Sequence, residues 1–352
     1  MAEKVKIGFV GVGGMGQCAH LRNYAVLPEC EVAALAEIRE NTGRAVARQY
    51  NIPKVYKTHE DLLAKEKLDG IVASQPFDRH GVLVPELLKA GVPVFIEKPL
   101  AGSIAMGEEI LHALAESKTW VMVGYHKRSD PATEYAKKEI DRLKAGGELG
   151  KLKYLRITMP AGDWIAGGFA DLIKREEGPP PKLEWEPPAP DMSPDLFKRY
   201  TAFVNYYIHQ VNLMRHLLGE PYRVTFADPS GVLFAGQSTS GVPCVIEMSP
   251  YQTTIDWQES ALAAFEKGYV KLSLPAPLAS NRAGRVEILK DPGKETVPQT
   301  VAPHLPWVHA MRQQAANFVA AIRGERKPPC EAAEALEDLK IAREYIRLWK
   351  GA

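Results

Sequence analysis

The sequence predicts an α/β chain: an N-terminal doubly wound parallel sheet, then an α+β region with an open, mainly antiparallel sheet. Three observations predict it. The apolar run Val5–Val10 feeds the glycine turn Gly-Val-Gly-Gly-Met-Gly at positions 11–16. Short apolar runs then alternate with helical patterns as far as about residue 124, as in successive βαβ units. Beyond it, strand candidates separated by Gly and Pro crowd residues 223–274, as in an antiparallel sheet. The expected division is therefore residues 1–124 and 125–352.

The glycine turn carries chemistry. A strand running through G-x-G-x-x-G into a helix is the fingerprint of a dinucleotide-binding unit. Gly11 permits the tight turn, Gly13 lets backbone approach a pyrophosphate, and Gly16 lets the helix pack against the strand. Val12, Gly14 and Met15 complete a helix N-terminus whose N–H groups and dipole suit phosphate. A second apolar run, 31–36, ends at Glu37, 21 residues past Gly16. An acid about 20 residues on accepts hydrogen bonds from the adenosine ribose. Glu37 would repel a 2′-phosphate, so NAD is favoured over NADP, with Arg39 close enough to blur the preference.

The elements follow in order. Helical pattern covers 41–50 and 59–65, with a short strand at 54–57 between them. Strand 70–74 precedes a helix from about 80 to 90, strand 92–96 a helix from about 103 to 116, and strand 120–124 closes the sheet. In the second region a helix spans 131–145 and an alternating strand 151–159. Apolar-periodic segments 308–323 and 331–348 read as amphipathic helices. Residues 178–194 hold seven prolines, including Pro179, Pro180 and Pro181. Proline resists both helix and sheet, so an extended loop is expected, either a rigid surface excursion or a wall of a substrate pocket.

Composition excludes several classes. The chain has 352 residues, 45% hydrophobic and 25% charged, with net charge +1. Nothing points to nucleic acid or to a charged membrane. No apolar stretch is long enough for a spanning helix. The chain opens almost at once on its first strand, so no signal peptide and a cytoplasmic location are expected. Cys18, Cys30, Cys244 and Cys330 are scattered, which suits reduced thiols, and no metal site is expected.

Strand 92–96 runs into Glu97-Lys98-Pro99. The carboxyl ends of strands border the ligand crevice in such sheets. A lysine there can reach a nicotinamide ribose and polarise a substrate oxygen. Pro99 is a candidate for a cis bond.

Together the glycine turn and Glu97-Lys98-Pro99 resemble the glucose–fructose oxidoreductase, inositol dehydrogenase and rhizopine-catabolism (Gfo/Idh/MocA) family. Ser74-Gln75-Pro76 followed by His80 resembles its nicotinamide-side loop, and residues 124–131 its entry into the second domain. His209 to Pro221 resembles its catalytic helix, and 318–324 a late helix. The resemblance implies a Rossmann domain, an oligomerising α/β domain, and NAD(P)-dependent redox chemistry at a sugar or cyclitol alcohol. It implies Lys98 and His209 as catalytic residues. The family commonly has aspartate where Asn205 stands, one helical turn before His209, so Asn205 can orient the imidazole but not act as a carboxylate base.

The expected reaction is reversible hydride transfer, with His209 accepting the hydroxyl proton and Lys98 polarising the oxygen. Cofactor contacts are expected from residues 11–16, Glu37, Arg39, Ser74, Gln75, Pro76, His80, Glu97 and Lys98. Substrate contacts are expected from Lys98, His126, Arg128, Trp164, Tyr206 and His209. Tyr206 and Tyr207 cannot both face a pocket, so one packs. Alternatives are a redox-assisted glycosidase that retains NAD, and an NAD-binding sensor. A homodimer or homotetramer is expected, because an open sheet face needs covering.

Overall fold

A computed structural model describes residues 3–179, 181–291 and 293–349. Pro180 of the proline-rich stretch, and residues 1–2 and 350–352 at the ends of the two expected domains, lie outside the described residues.

The first apolar runs form six parallel strands. β1 (Val5–Val10), β2 (Cys30–Ala36), β3 (Lys54–Tyr56), β4 (Gly70–Ala73), β5 (Val94–Ile96) and β6 (Val121–Val123) lie in the order β3-β2-β1-β4-β5-β6. The order reverses between β1 and β4, which places a ligand crevice at their carboxyl ends. Every residue of β4, β5 and β6 is buried, as strands covered on both faces must be.

Local signals explain the helices. A π-type turn, Gly16–Leu21, leads into α1 (Arg22–Tyr24). α2 spans Glu40–Tyr50, α3 His59–Lys65, α4 His80–Leu88 and α5 Ile104–Glu116. The side chains of Thr58 and Ser103 accept hydrogen bonds from the Asp61 and Met106 N–H groups and so cap α3 and α5. α2 has no side-chain cap from its preceding residue, Arg39.

The compact units differ from a single cut at 124/125. The first comprises the chain up to Tyr125, together with Gly167–Thr201 and Gln314–Leu339. The physical reason is that two later segments supply what the sheet lacks. Phe318 fills the core edge-on to Phe95, with ring centroids 5.8 Å apart, and lies 6.4 Å from Tyr24. The Val123 N–H donates to the Cys330 carbonyl at 3.0 Å.

The segment Gly167–Thr201 is a strap stitched to backbone groups. Gln17 donates to the Ile173 carbonyl at 3.1 Å and accepts from the Ile173 N–H at 3.0 Å. Arg79 donates to the Glu184 carbonyl at 3.1 Å and faces the Trp185 ring at 5.9 Å. The Glu186 carboxylate accepts from Gly81 N–H at 2.6 Å and Gly102 N–H at 2.8 Å. The proline-rich stretch is thus anchored to its own unit by Glu186.

Burial pushes the Glu186 carboxyl up to about 7, against the pull of those two donors. A carboxyl raised on folding binds more protons in the native than in the unfolded state, so stability falls as pH rises through the interval. The unfolding free energy is expected to drop by on the order of 2–3 kcal/mol from this group between pH 4.5 and pH 8. Urea midpoints at pH 5 and pH 8 check this: Glu186→Gln should flatten the slope, and equal slopes in both proteins would remove Glu186 as its cause. Asp130, pushed up to about 6 by burial, adds to wild type and variant alike.

The second unit comprises His126–Ala166, Ala202–Gln313 and residues from Lys340 onward. α6 (Pro131–Gly146) starts with Asp130 accepting from the Ala132 N–H at 2.8 Å, has Pro131 in its first turn, and stops at Gly147 with φ 65°. β7 (Leu152–Thr158) lies inside an eight-stranded sheet. The others are β8 (Tyr222–Ala227), β9 (Leu233–Ser238), β10 (Pro243–Glu247), β11 (Glu259–Phe265), β12 (Gly268–Leu274), β13 (Arg285–Lys290) and β14 (Gln299–Val301). The order is β14-β13-β12-β11-β7-β10-β9-β8, antiparallel throughout except for β10 with β7.

Alternate residues of β11 are fully buried, so one face of the sheet packs. The long helices are α7 (Pro194–Leu218), α8 (Ala310–Ile322) and α9 (Ala332–Trp349). Among the described residues no helix is long and apolar enough to cross a membrane.

Candidate functional site

The glycine turn leaves β1 with the geometry its residues predict. Gly11 has φ 89°, and a Cβ there would lie 2.7 Å from the Ser74 carbonyl oxygen. A Cβ on Gly16 would lie 2.6 Å from the Gly11 carbonyl oxygen. Both positions therefore require glycine. At Gly13 a Cβ would meet only an Arg39 nitrogen, 3.7 Å away, and at Gly14 only the Phe169 ring at 3.6 Å. Tight glycines beneath and open backbone above fit a pyrophosphate cradle.

Glu37 is buried at the end of β2. Its Oε2 accepts from the Val12 N–H at 2.9 Å and from Arg39 Nη2 at 2.8 Å. Oε1 accepts from the Arg39 N–H at 3.0 Å and from Nε at 2.8 Å. Burial raises the carboxyl's pKa, but the Arg39 and Val12 donors outweigh it and hold Glu37 below its usual range. All four lone-pair positions are engaged, so a ribose must displace the half-exposed guanidinium to reach them. The expected ribose acid thus also ties the glycine turn to β2.

The loop after β4 is more structural than its sequence suggests. Ser74 donates its N–H to the Val10 carbonyl at 3.0 Å. Gln75 donates to the same carbonyl at 3.2 Å and accepts from Arg79 at 2.8 Å, while Pro76 is exposed. His80 is fully buried, with Nδ1 3.0 Å from the Pro99 carbonyl and Nε2 without a hydrogen-bond partner. Burial lowers its pKa, so its neutral form braces the Lys98-Pro99 turn. The Lys98–Pro99 bond is cis. Glu97 is buried with Oε1 2.5 Å from His20 Nε2, and Oε2 accepts from the Lys98 N–H at 3.1 Å. Glu97 therefore faces inward and positions half-buried Lys98 at the carboxyl end of β5.

In the second unit α7 carries Asn205, Tyr206 and His209. Asn205 is exposed; Tyr206 and His209 are half-buried. The His209 and His126 rings meet edge-on, centroids 4.5 Å apart. Tyr207 is the packing member of the tyrosine pair: its hydroxyl lies 2.5 Å from Ser249 Oγ and its ring 5.9 Å from Phe203. Burial pushes the Tyr206 hydroxyl up, and the nearby Gly162 backbone partly offsets it. Trp164 is half-buried, and its carbonyl accepts from the Leu278 N–H at 3.2 Å. Arg128, expected as a substrate contact, is buried and donates to Asn212 at 2.7 Å, which braces α7.

A buried polar hub escaped sequence reasoning. Glu259 holds Lys127 Nζ at 2.5 Å, Gln210 Nε2 at 2.8 Å and Trp257 Nε1 at 3.2 Å. Lys127 also sits 5.6 Å from the Trp257 ring. Gln210 follows His209 directly, so the hub fixes the rotation of α7. Glu259 also lines an open cavity of about 580 Å³ with Tyr251, Trp257, Lys271 and Arg282. The only sequence hint is the uncommon Lys127 beside His126 and Arg128.

Known proteins sharpen this picture. A myo-inositol 2-dehydrogenase from Thermotoga maritima is 24% identical over 226 residues, covering 64% of this chain and 58% of that protein. A scyllo-inositol 2-dehydrogenase (NAD(+)) from Bacillus subtilis is 25% identical over 221 residues, covering 62% of this chain and 55% of that protein. The chain thus matches little more than half the length of these relatives. The crystal structure of an oxidoreductase domain protein from Kribbella flavida superposes with a TM-score of 0.73 at 19% identity, over 99% of this chain and 98% of that one, and shows the fold. Residues 5–125 match the family described as "Oxidoreductase family, NAD-binding Rossmann fold". Residues 5–125 thus carry the NAD-binding Rossmann fold of this oxidoreductase family, and the chain is similar to these inositol dehydrogenases over 62–64% of its own length.

Proposed function

We propose that the protein is an NAD-dependent oxidoreductase acting on a secondary alcohol of a sugar, sugar derivative or cyclitol. The observation that carries this is the glycine cradle of Gly11, Gly13 and Gly16 in the same unit as Lys98, at the carboxyl edge of the sheet. The inositol dehydrogenase relatives support the substrate class.

NAD, when bound, supplies the hydride acceptor. The protein's part is orientation and proton handling. Lys98 donates to the substrate oxygen and stabilises developing negative charge there. His209 accepts the hydroxyl proton, with His126 against its ring and the Glu259 hub behind it through Gln210. Asn205, one turn earlier, orients the imidazole or a neighbouring hydroxyl. Tyr206 and Trp164 suit the apolar face of a ring substrate.

Incubation with NAD and a panel of cyclitols, sugars and glycosides tests the reading, with NADH absorbance and products followed together. NADH formation with a polyol is the expected result. Release of an aglycone without NADH would replace the dehydrogenase by a redox-assisted glycosidase.

A further inference from the structure

The first turn of α2 is closed by a carboxylate from far along the chain. Glu177 Oε1 accepts from the Thr42 N–H at 2.6 Å, and Oε2 from the Asn41 N–H at 3.2 Å. Asn41 Nδ2 donates to the Glu176 carbonyl at 2.9 Å, and Thr42 Oγ1 accepts from the Arg175 N–H at 3.3 Å. The strap is thus locked to α2 by four hydrogen bonds. Burial pushes the Glu177 carboxyl up, but the Thr42 and Asn41 donors and the Arg39 charge prevail and hold it below the usual carboxylate range. Glu177 is therefore an anion at neutral pH.

Its position gives that anion a role. In a dinucleotide fold the acid ending β2 reads the adenosine 2′-hydroxyl, and an arginine nearby accommodates the 2′-phosphate when one is present. Amino-terminal N–H groups of the following helix are further anion donors. In this protein those groups are engaged by two carboxylates. Glu37 holds the Arg39 guanidinium, and Glu177 holds the Asn41 and Thr42 N–H groups.

We infer that Glu177 is a specificity residue for the cofactor: its carboxylate takes the amino end of α2 that a 2′-phosphate would use, and it excludes NADP by occupancy and by charge. The inference rests on the NAD reading above. It assigns to a residue 140 positions beyond Glu37 a share of the selectivity that the β2 acid alone would carry. Arg39, tied to Glu37 and facing Glu177's charge, then acts as a neutralised cation and not as a phosphate receptor.

The test is equilibrium binding of NADH, NADPH and the probe 2′,5′-ADP to wild type, Glu177→Gln and Glu177→Ala, with thermal melts alongside. Wild type is expected to bind NADH at least about 100-fold more tightly than NADPH. Both substitutions should narrow that ratio about 10-fold or more and tighten 2′,5′-ADP by a similar factor, with NADH affinity held within about 3-fold. An unchanged ratio in variants that melt cooperatively overturns the inference and leaves the NAD reading standing. Wild-type protein that binds neither dinucleotide, or prefers NADPH, overturns both. Should the variants fail to fold, hydrogen exchange on wild type decides. Saturating NADPH, unlike NADH, should deprotect residues 173–177 as the carboxylate is displaced, and equal protection by the two overturns the inference.

Discussion

Replacing Lys98 by Met is expected to lower kcat by about 10²–10⁴-fold while the protein folds normally. Methionine keeps the apolar stem and removes the terminal ammonium, with its charge and donors. Lys98 is half-buried, and its backbone is fixed by neighbours that the substitution leaves in place: Glu97 on its N–H and His80 on the Pro99 carbonyl. NADH affinity should therefore change less than about tenfold, so the loss should appear in kcat and not in binding. Steady-state kinetics with the polyol found in the panel, together with NADH titration, make the comparison. Unchanged turnover would remove Lys98 from the chemistry. Combining K98M with His209→Ala extends the test. If both groups act on one hydroxyl, the double variant should lose far less than the product of the single losses.

Replacing Glu259 by Ala is expected to cost about 3–5 kcal/mol of stability, because it removes the ion-pair partner of an ammonium buried beside it. The Lys127 side chain is 4% exposed and that of Glu259 0% exposed. The loss extends beyond the pair, since Gln210 and Trp257 also donate to the same carboxylate. Glu259→Gln, which retains an acceptor, should cost less. Urea unfolding followed by tryptophan fluorescence reads the difference, Trp257 itself reporting on the hub. A cost below about 1 kcal/mol would mean that Lys127 finds another environment at little expense. Activity should fall with Glu259→Ala even where the protein remains folded, because α7 loses the Gln210 contact that sets the rotation of His209.

The parallel sheet was legible because its signals are local and periodic. Buried runs such as those of β4 and β5 are apolar throughout, and the glycines at 11, 13 and 16 with Glu37 keep the spacing of a dinucleotide-binding unit. The open second sheet was legible as a class from alternating strands, but not its order: the parallel pairing of β10 with β7 leaves no mark on either strand. The strap was illegible for a different reason. Gln17, Glu177 and Glu186 bind backbone groups of distant residues, and a backbone N–H is the same at every position. Glu186 reads in the sequence as one more solvated acid among prolines. The same holds for Glu259, whose partner Lys127 lies 132 positions away. His80 and Arg128 were legible as notable residues, while only burial shows that each supports a neighbour.

The strap also sets the order in which the newborn chain can complete itself. By the time Tyr125 has left the ribosome all six parallel strands exist, yet Thr42, Gly81 and Gly102 still lack the carboxylates that take their N–H groups. At about 5–20 residues per second those carboxylates follow several seconds later, and Phe318 later still. Non-local closure of this kind slows folding and leaves apolar surface exposed meanwhile. Nascent chains of this protein should therefore depend on holding chaperones through most of their synthesis, and a gene truncated after residue 125 should yield an aggregating fragment.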